Sequence, residues 1–405
     1  MRRGAQGILL VASFLMAASF PGSAHALSVP SEVAVEVSVT GRPASPEVIV
    51  EALLWEVRRA LGLSPLFEPR LLALSGLQPI LPGEEQEVTG VIRFAEREER
   101  IGEVMVRASV RNEGVELQPV QTLIVSNSPE RIPRPGVLFP EVTLSEPVRI
   151  LFHHKNGAAI PVDLLVKVRS AGPKGSKIHL IGGVGRAGRD ELRSGHQAMR
   201  TYLARIVQGT GYWVSLPSGE EVAIAAQRLN PGHVTSGILQ LQISGDPIRL
   251  WVEAAGEGDP TLLEEDGVHF RGVVKNPTVV LQGIYSAGEP PLTFQIGGPP
   301  FLQEEVTGRP LKGNYGVFYE ILVTLLNPSD RSRTVVLFYL PVGGAAGSTL
   351  VLDGQIYEIT PIPAFSEVPV ATFLLGPQER RTFVLKVSPQ AGSWYPVRLE
   401  LRTIP

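Results

Sequence analysis

The chain has 405 residues, a formal net charge of −3 and a charged fraction of 19 %. This balance gives no sign of a nucleic-acid partner, and the length is enough for two or three domains with separate cores. The absence of cysteine excludes disulfides, zinc–thiolate sites, iron–sulfur clusters and thiol nucleophiles, while 42 glycines and 35 prolines are typical of a β protein rich in turns.

Residues 1–26 have the pattern of an export signal peptide. Arg2 and Arg3 supply a positive end, residues 8–20 form an apolar segment, and Ala24-His25-Ala26 has the small residues of a cleavage site. The apolar segment is shorter than the ~20 residues that a spanning helix needs. We therefore expect a secreted, periplasmic or cell-surface protein without a membrane span after removal of the signal.

Residues 27–126 are predicted to form a small α+β domain. Residues 32–39 alternate apolar and polar side chains, as a half-buried strand does. Ser45-Pro46-Glu47 is a helix start, and Gly62 suits the end of that helix. Three more strands are expected at residues 87–94, 103–110 and 115–125, with a hairpin turn at residues 111–114.

The rest of the chain is predicted to hold two β-sandwich domains after a stiff proline-rich linker at residues 127–135. The sandwiches cover residues 136–258 and 259–405, the second with an irregular lead-in. Both alternate short β-rich apolar runs with turns of Pro, Gly and Asn. The predicted fold class is therefore mainly β, with two immunoglobulin-like antiparallel sandwiches preceded by a small α+β domain.

The two sandwiches are predicted to share one topology, because similar motifs recur in the same order. A strand before Asn156-Gly157 matches a strand before Asn327-Pro328, and each is followed by a returning strand. Two further matches place residues 214–220 beside 373–379, and residues 231–243 beside 389–401. The first copy is longer in the middle, where a helix is predicted at residues 190–207, with Leu192, Met199, Leu203, Ile206 and Val207 on its apolar side.

The segment before this helix fits G-x-G-x-x-G at Gly183, Gly185 and Gly188. A dinucleotide site would also need a second parallel strand with an acid about twenty residues on, and neither is present. We interpret residues 182–188 as a flexible glycine connection. Binding of another anion at the helix start, beside Arg186 and Arg189, stays open.

The histidines show no spacing typical of a metal site. His153 and His154 are neighbours in a strand and are expected to point to opposite faces. The others are interpreted as scattered structural or surface residues, and a site assembled from distant residues stays open: His179, His196, His233 and His269.

Hydrolase chemistry has little support in the sequence. Acidic pairs at residues 220–221, 264–266 and 304–305 lie beside turns and are interpreted as exposed loop acids. Ser194 and Ser236 lack the sequence context of a nucleophile. We therefore assign no catalytic, cofactor-binding or metal-ligating residue and no cofactor, and a hydrolase with a site near residues 182–211 is the least favoured function.

Aromatic residues offer a second possibility, a platform for carbohydrate. Trp251 and the pairs Tyr212-Trp213 and Trp394-Tyr395 are the candidates. A Trp in a strand is more often part of the core, because aromatic side chains bury large areas. Trp394 lies in a loop at residues 389–396. Its exposure to solvent would favour a carbohydrate platform over a place in the core.

The motifs Leu325-Leu-Asn-Pro-Ser-Asp330, Thr334-Val-Val-Leu337 and the turn at residues 375–383 resemble the immunoglobulin-like adhesion modules of bacterial surface and periplasmic proteins. The layout from residue 126 to the C-terminus is similar to secreted bacterial proteins with tandem sandwiches of this kind. The resemblance implies a non-enzymatic structural or interaction protein of the cell envelope, with other envelope proteins or glycans as partners. An array of carbohydrate-binding modules is the alternative, and no functional residue follows from the resemblance.

Overall fold

A computed structural model describes residues 30–96, 99–256 and 260–404, so the predicted signal peptide at 1–26 lies outside the described residues. The described chain is mainly β, as predicted. Its described strands form four sheets, and the described residues include two helices. Neither of these described helices is long and apolar enough to cross a membrane.

The N-terminal part is a helix packed on a sheet. Its elements are β1 (Glu32–Thr40), α1 (Pro46–Ala60), β2 (Glu68–Ser75), β3 (Glu85–Glu96) and β4 (Glu99–Asn112). The helix begins after Ser45, an extended N-cap residue, and Pro46 occupies the first turn. Gly62 follows the helix with φ of 62°, a left-handed conformation that glycine adopts freely.

The predicted hairpin turn at residues 111–114 is wrong. β4 pairs with β3 and, in parallel, with β1, and the chain leaves the sheet after Asn112. The Asn112 side chain is buried and donates to the carbonyls of Gly41 and Ile80, which fixes this exit. Of the strand expected at residues 115–125, only the last part forms a strand, β5 (Thr122–Ser126). This strand lies in the first sandwich.

The first sandwich packs two sheets around one core. Its remaining elements are β6 (Arg131–Ile132), β7 (Gly136–Leu144), β8 (Val148–Asn156), β9 (Val162–Ser170), β10 (Ser176–Val184), α2 (Glu191–Gln208), β11 (Gly211–Leu216), β12 (Glu221–Leu229), β13 (Val234–Gly245) and β14 (Ile248–Ala255). Strands β12-β9-β14-β7 form the small sheet. The large sheet runs β15-β5-β8-β13-β10-β11-β1-β4-β3-β2, where β15 is Arg271–Lys275. Because β11 pairs with β1, this sheet crosses the predicted boundary between the α+β domain and the sandwich.

The second sandwich has two sheets, β16-β18-β23-β20-β21 and β17-β24-β19-β22. Its strands are β16 (Thr278–Ser286), β17 (Leu292–Ile296), β18 (Phe318–Leu326), β19 (Arg333–Pro341), β20 (Ala346–Leu352), β21 (Gln355–Ile362), β22 (Val368–Leu375), β23 (Arg380–Val387) and β24 (Val397–Ile404). One sheet of each sandwich is mixed and not purely antiparallel as predicted, since β16 pairs in parallel with β18, as β5 does with β8.

The two sandwiches have the same topology, as predicted. Pairs β8–β13, β9–β12, β9–β14 and β10–β13 of the first recur as β18–β23, β19–β22, β19–β24 and β20–β23 of the second. The later two sequence matches are wrong by one strand, because β13 corresponds to β23 and β14 to β24. The first match is correct to the residue: Asn156 Nδ2 donates to the carbonyls of Ile160 and Leu229, and Asn327 Nδ2 to those of Arg331 and Leu375.

The helix predicted at 190–207 is confirmed as α2, and it lies at an interface. One side packs on β10 and β13, and the other on β20 and β21 of the second sandwich. The contact contains a buried apolar cluster formed by Ile181, Met199, Tyr202, Leu203, Ile238, Phe318 and Val351. Val207, expected on the apolar side, is exposed, whereas Tyr202 is fully buried.

The predicted linker is packed against the first sandwich. Within residues 127–135, β6 pairs in parallel with β8, and the side chain of Ile132 is fully buried. Asp266 accepts a hydrogen bond from the backbone N–H of Glu130 at 2.9 Å. The segment is therefore extended, as its prolines require, and it also brings Glu130 to the sheet.

Candidate functional site

Gly183 and Gly185 of the segment 182–188 serve close packing. β10 runs antiparallel to both of its neighbours, β11 and β13, which is not the arrangement of a dinucleotide fold. A Cβ atom on Gly183 would collide with the Ala198 carbonyl, and one on Gly185 with the Ser194 carbonyl. The motif therefore lets α2 approach the sheet, and flexibility is not its role.

His153 and His154 point to opposite faces of β8, as predicted. His154 faces the first sandwich, where its ring nitrogens lie 2.9 Å from Ser126 Oγ and 2.9 Å from the Pro129 carbonyl oxygen. Burial lowers its pKa to about 3, so the ring is neutral at pH 7. His154 is thus a satisfied core residue, whereas His153 faces α2.

Beside α2, His153 meets two carboxylates. Glu130 comes from the linker segment, His153 from β8 and Glu191 from the first turn of α2, and their ligand atoms lie within 4.8 Å of one another. We refer to Glu130, His153 and Glu191 as the polar cluster. His153 thus joins residues from distant segments, an arrangement that the sequence left open, and the assignment of no metal ligand stays a prediction.

Hydrogen bonds fix the imidazole of the polar cluster. His153 is 4 % exposed, and its Nδ1 lies 2.6 Å from Ser236 Oγ. The backbone N–H of Ser236 in turn donates to Ser194 Oγ at 3.0 Å. Burial lowers the pKa of His153 to about 4. The ring is therefore neutral at pH 7, with Nδ1 engaged and Nε2 left to face the carboxylates.

A second histidine supports Glu130. His269 Nε2 lies 2.7 Å from Glu130 Oε2, and His269 Nδ1 lies 2.8 Å from Asp266 Oδ2. Partial burial alone would raise the pKa of Asp266, but backbone N–H donors from Glu130, His269 and Val268 hold it well below its usual value. Burial raises the pKa of Glu130, against the opposing effect of His269. Asp266 is thus a fixed anion that orients His269, which in turn orients Glu130.

Lys155 is the ammonium group of this region. It projects from the same face of β8 as His153, and its Nζ lies 2.7 Å from Glu191 Oε1. The carboxylates of Glu130, Glu191 and Asp266 thus face one ammonium and the neutral imidazole of His153. Negative charge is in excess at the polar cluster.

A cleft of about 530 Å³ opens next to His269. Its walls come from three segments of the chain: Asn127, Gly267 to Phe270, and Arg309 to Tyr315, closed by Trp394 and Tyr395. Trp394 is 64 % exposed, which meets the condition set for a carbohydrate platform. We call this space the aromatic cleft.

The loop that carries Trp394 is held in place. The backbone N–H of Trp394 donates to the Ala345 carbonyl at 3.1 Å, and Tyr315 Oη donates to the Ser393 carbonyl at 2.9 Å. Tyr315 and Tyr395 make an edge contact with ring centroids 5.7 Å apart. The indole is therefore presented on a rigid loop and not on a mobile one.

Polar groups of the aromatic cleft complement its rings. The Asn127 side-chain oxygen is buried and accepts no hydrogen bond from any described residue. Lys312 is exposed, and Arg309 lies 4.9 Å from the Phe270 ring centroid while donating to Glu265 at 2.6 Å. The exposed Lys312 is therefore a donor that a ligand in the cleft can reach.

Two of the other predicted histidines have structural partners. His179 is buried 2.8 Å from Thr40 Oγ1, and His196 Nε2 lies 2.9 Å from Glu358 Oε1 across the α2 interface. Trp251 is 9 % exposed. Of the acidic pairs, most are paired or exposed, whereas Glu304 is buried and accepts from the Val306 and Thr307 N–H groups.

Comparison with known proteins identifies no family. No protein-family model matches the chain, and no curated protein matches it. Weak matches among solved structures include Lac15 from a marine microbial metagenome, at 11% identity over 76% of this chain and 70% of that one, with a TM-score of 0.13. The tandem CBM22 domains of Xyn10C from Paenibacillus barcinonensis match at 9% identity over 72% of this chain and 92% of that one, with a TM-score of 0.15. At these TM-scores the likeness carries no functional argument.

Proposed function

We propose that this chain is a non-enzymatic interaction protein of the cell envelope or exterior, and that its aromatic cleft binds a carbohydrate chain. The observation that carries the proposal is the exposed indole of Trp394 at the edge of the cleft. A location outside the cytoplasm is part of the proposal and is supported by the export pattern of residues 1–26.

The chemistry of the cleft suits a sugar. The C–H face of a pyranose ring packs on an aromatic face, and Trp394 offers such a face at a fixed position. Hydroxyl groups of the same ring need polar partners at its edge, and the exposed Lys312 supplies a donor. The volume of about 530 Å³ lies in the range typical of small-ligand pockets.

A glycan array followed by calorimetric titration tests this proposal. We expect the wild-type chain to bind at least one oligosaccharide, and Trp394→Ala to weaken that binding by about tenfold or more, since aromatic anchors dominate such contacts. Trp394→Phe should retain part of the affinity because it keeps a stacking face.

Phe365→Ala is the matched control. Phe365 is 81 % exposed in the same sandwich but does not line the cleft, so its removal should leave glycan affinity unchanged. An array without a bound glycan, or a Trp394→Ala variant that binds as tightly as wild type, would contradict the proposal.

A further inference from the structure

We propose that the polar cluster of Glu130, His153 and Glu191 is a binding site for one divalent transition-metal cation of the Zn²⁺ type. This site is separate from carbohydrate binding, although His269 contributes to the surroundings of both. The inference rests on the geometry of the three ligand atoms, on the groups that hold them and on the excess of negative charge.

The spacing of the ligand atoms is close to that of a bound cation. They lie within 4.8 Å of one another. Ligands at the usual Zn–N and Zn–O distances of about 2.1 Å stand roughly 3.4 Å apart in a tetrahedron. Glu130 and Glu191 are only half-buried, so rotation of their side chains closes the remaining gap, while the buried His153 stays in place.

His153 is presented as a metal-binding histidine is. Its Nδ1 is engaged by Ser236 Oγ, which fixes the ring, and within the described residues Nε2 has no hydrogen-bond partner. A cation at this position supplies a partner for Nε2.

The carboxylates are also supported from outside the cluster. Glu191 uses Oε1 for Lys155, which leaves its other oxygen for a cation. Glu130 uses Oε2 for His269, whose ring is held by the anionic Asp266. A chain of carboxylate, imidazole and ligand of this kind orients metal ligands in proteins.

The charge in this region favours a cation. The carboxylates of Glu130, Glu191 and Asp266 face the ammonium of Lys155 and the ring of His269, so the carboxylates outnumber the cationic groups. A divalent cation balances this excess.

The second sandwich shows that the fold does not require these residues. By strand register, His153 corresponds to Thr324 and Ser236 to Thr382, whose hydroxyl oxygens lie 3.1 Å apart. Lys155 corresponds to Leu326 in the same register. A pair of hydroxyl groups thus satisfies the same two scaffold positions, so the imidazole in the first copy is extra to the needs of the sandwich.

The donor set selects the type of metal. One imidazole nitrogen and two carboxylate oxygens suit Zn²⁺ and Co²⁺, with a further position for water. Ca²⁺ and Mg²⁺ prefer oxygen ligands only, so both are expected to compete weakly.

The test uses the full chain after treatment with a chelator. Calorimetric titration with Zn²⁺ is expected to give one site per chain, and Co²⁺ is expected to develop visible absorption bands. Glu191→Gln and Glu130→Gln should each weaken Zn²⁺ binding by about tenfold or more, since loss of even a supporting partner typically costs that much. His153→Thr, which installs the residue of the second copy, should abolish the Co²⁺ bands.

Glu358→Gln is the matched control, because Glu358 also pairs with a histidine beside α2 but has no third ligand. It should bind Zn²⁺ as wild type does, and so should Trp394→Ala, so zinc binding and glycan binding are judged separately. Circular dichroism checks that each variant is folded, and the half-buried Glu191→Gln keeps the test valid should His153→Thr unfold. A wild-type chain without a stoichiometric Zn²⁺ site, or Glu191→Gln and Glu130→Gln binding as wild type does, overturns the proposal.

Discussion

The two sandwiches share a topology but differ in what surrounds it. In both, a buried asparagine ends the first long strand and closes the same turn, at Asn156 and at Asn327. Only the first copy inserts a helix, α2, where the second turns directly at Asp353-Gly354 into β21. The first copy also has polar residues where the second has Thr324 and Leu326.

This difference separates the requirements of the fold from those of function. Features present in both copies, such as the asparagine turns, are explained by backbone hydrogen bonding that any such sandwich needs. Features of one copy alone, such as His153 and Lys155, are not explained in this way. They lie together at the junction of the two sandwiches, next to the aromatic cleft.

The largest effect is expected from Gly183→Ala, which tests the insertion of α2. The added methyl group would meet the Ala198 carbonyl, which is backbone and cannot move unless the helix shifts. We expect a loss of more than ~3 kcal/mol in the free energy of unfolding, at the upper end for overpacking. Chemical denaturation measures it. Gly188→Ala is the control, with no atom within 4 Å of its new Cβ and an expected change below about 0.5 kcal/mol. Equal stability of the two variants would break the assignment of close packing.

The next largest loss of stability is expected from the asparagine turns, which both copies share. Asn156→Ala removes the side-chain donor of two backbone carbonyls, and Asn327→Ala removes that of three. Each is expected to lower the free energy of unfolding by about 2–3 kcal/mol, measured by denaturant titration. Asn230→Ala, at an exposed turn position, should change it little. A large loss in one copy and none in the other would show that the two turns are not equivalent.

The smallest effect concerns pH and belongs to the first copy alone. His179 is buried against Thr40, and burial lowers its pKa to about 4, whereas Thr349 occupies the corresponding position of β20. The unfolded chain, with a His pKa near 6.5, binds this proton more readily than the folded chain. The stabilising contribution of the neutral His179 is therefore fully present above about pH 6.5. It decreases as the pH falls towards 4.

Between pH 7 and pH 5 the contribution of His179 amounts to about 2 kcal/mol. Glu113, the charged group acting on the ring, works in the opposite sense and is included in that pKa. Comparison of unfolding at the two pH values in wild type and His179→Gln measures it. The same pH dependence in both proteins would contradict the assignment.

The strands could be predicted from sequence because their signals are local. Alternating side chains and turn residues identified the first strand, the helix at Pro46 and most strands of both sandwiches. The turn at residues 111–114 misled because Asn-Glu-Gly is a local hairpin signal, whereas Asn112 makes its decisive bonds to the distant Gly41 and Ile80.

The two candidate sites also differ in whether their sequence signal is local. Trp394 was identifiable, since a tryptophan in a Pro- and Gly-containing loop is a local feature. The polar cluster was not identifiable. Its three residues and the neighbouring His269 come from four separate segments that only the tertiary fold brings together. A residue-by-residue comparison of the two copies would have marked His153, but only with the correct strand register.

The central claim is the proposed metal site at the polar cluster, where the first copy departs from the second. Diffraction at the zinc absorption edge from crystals of the full chain grown with Zn²⁺ tests it most directly. The account predicts one strong anomalous peak between Glu130, His153 and Glu191. No peak there, or equal peaks at pairs such as His196 and Glu358, would contradict it.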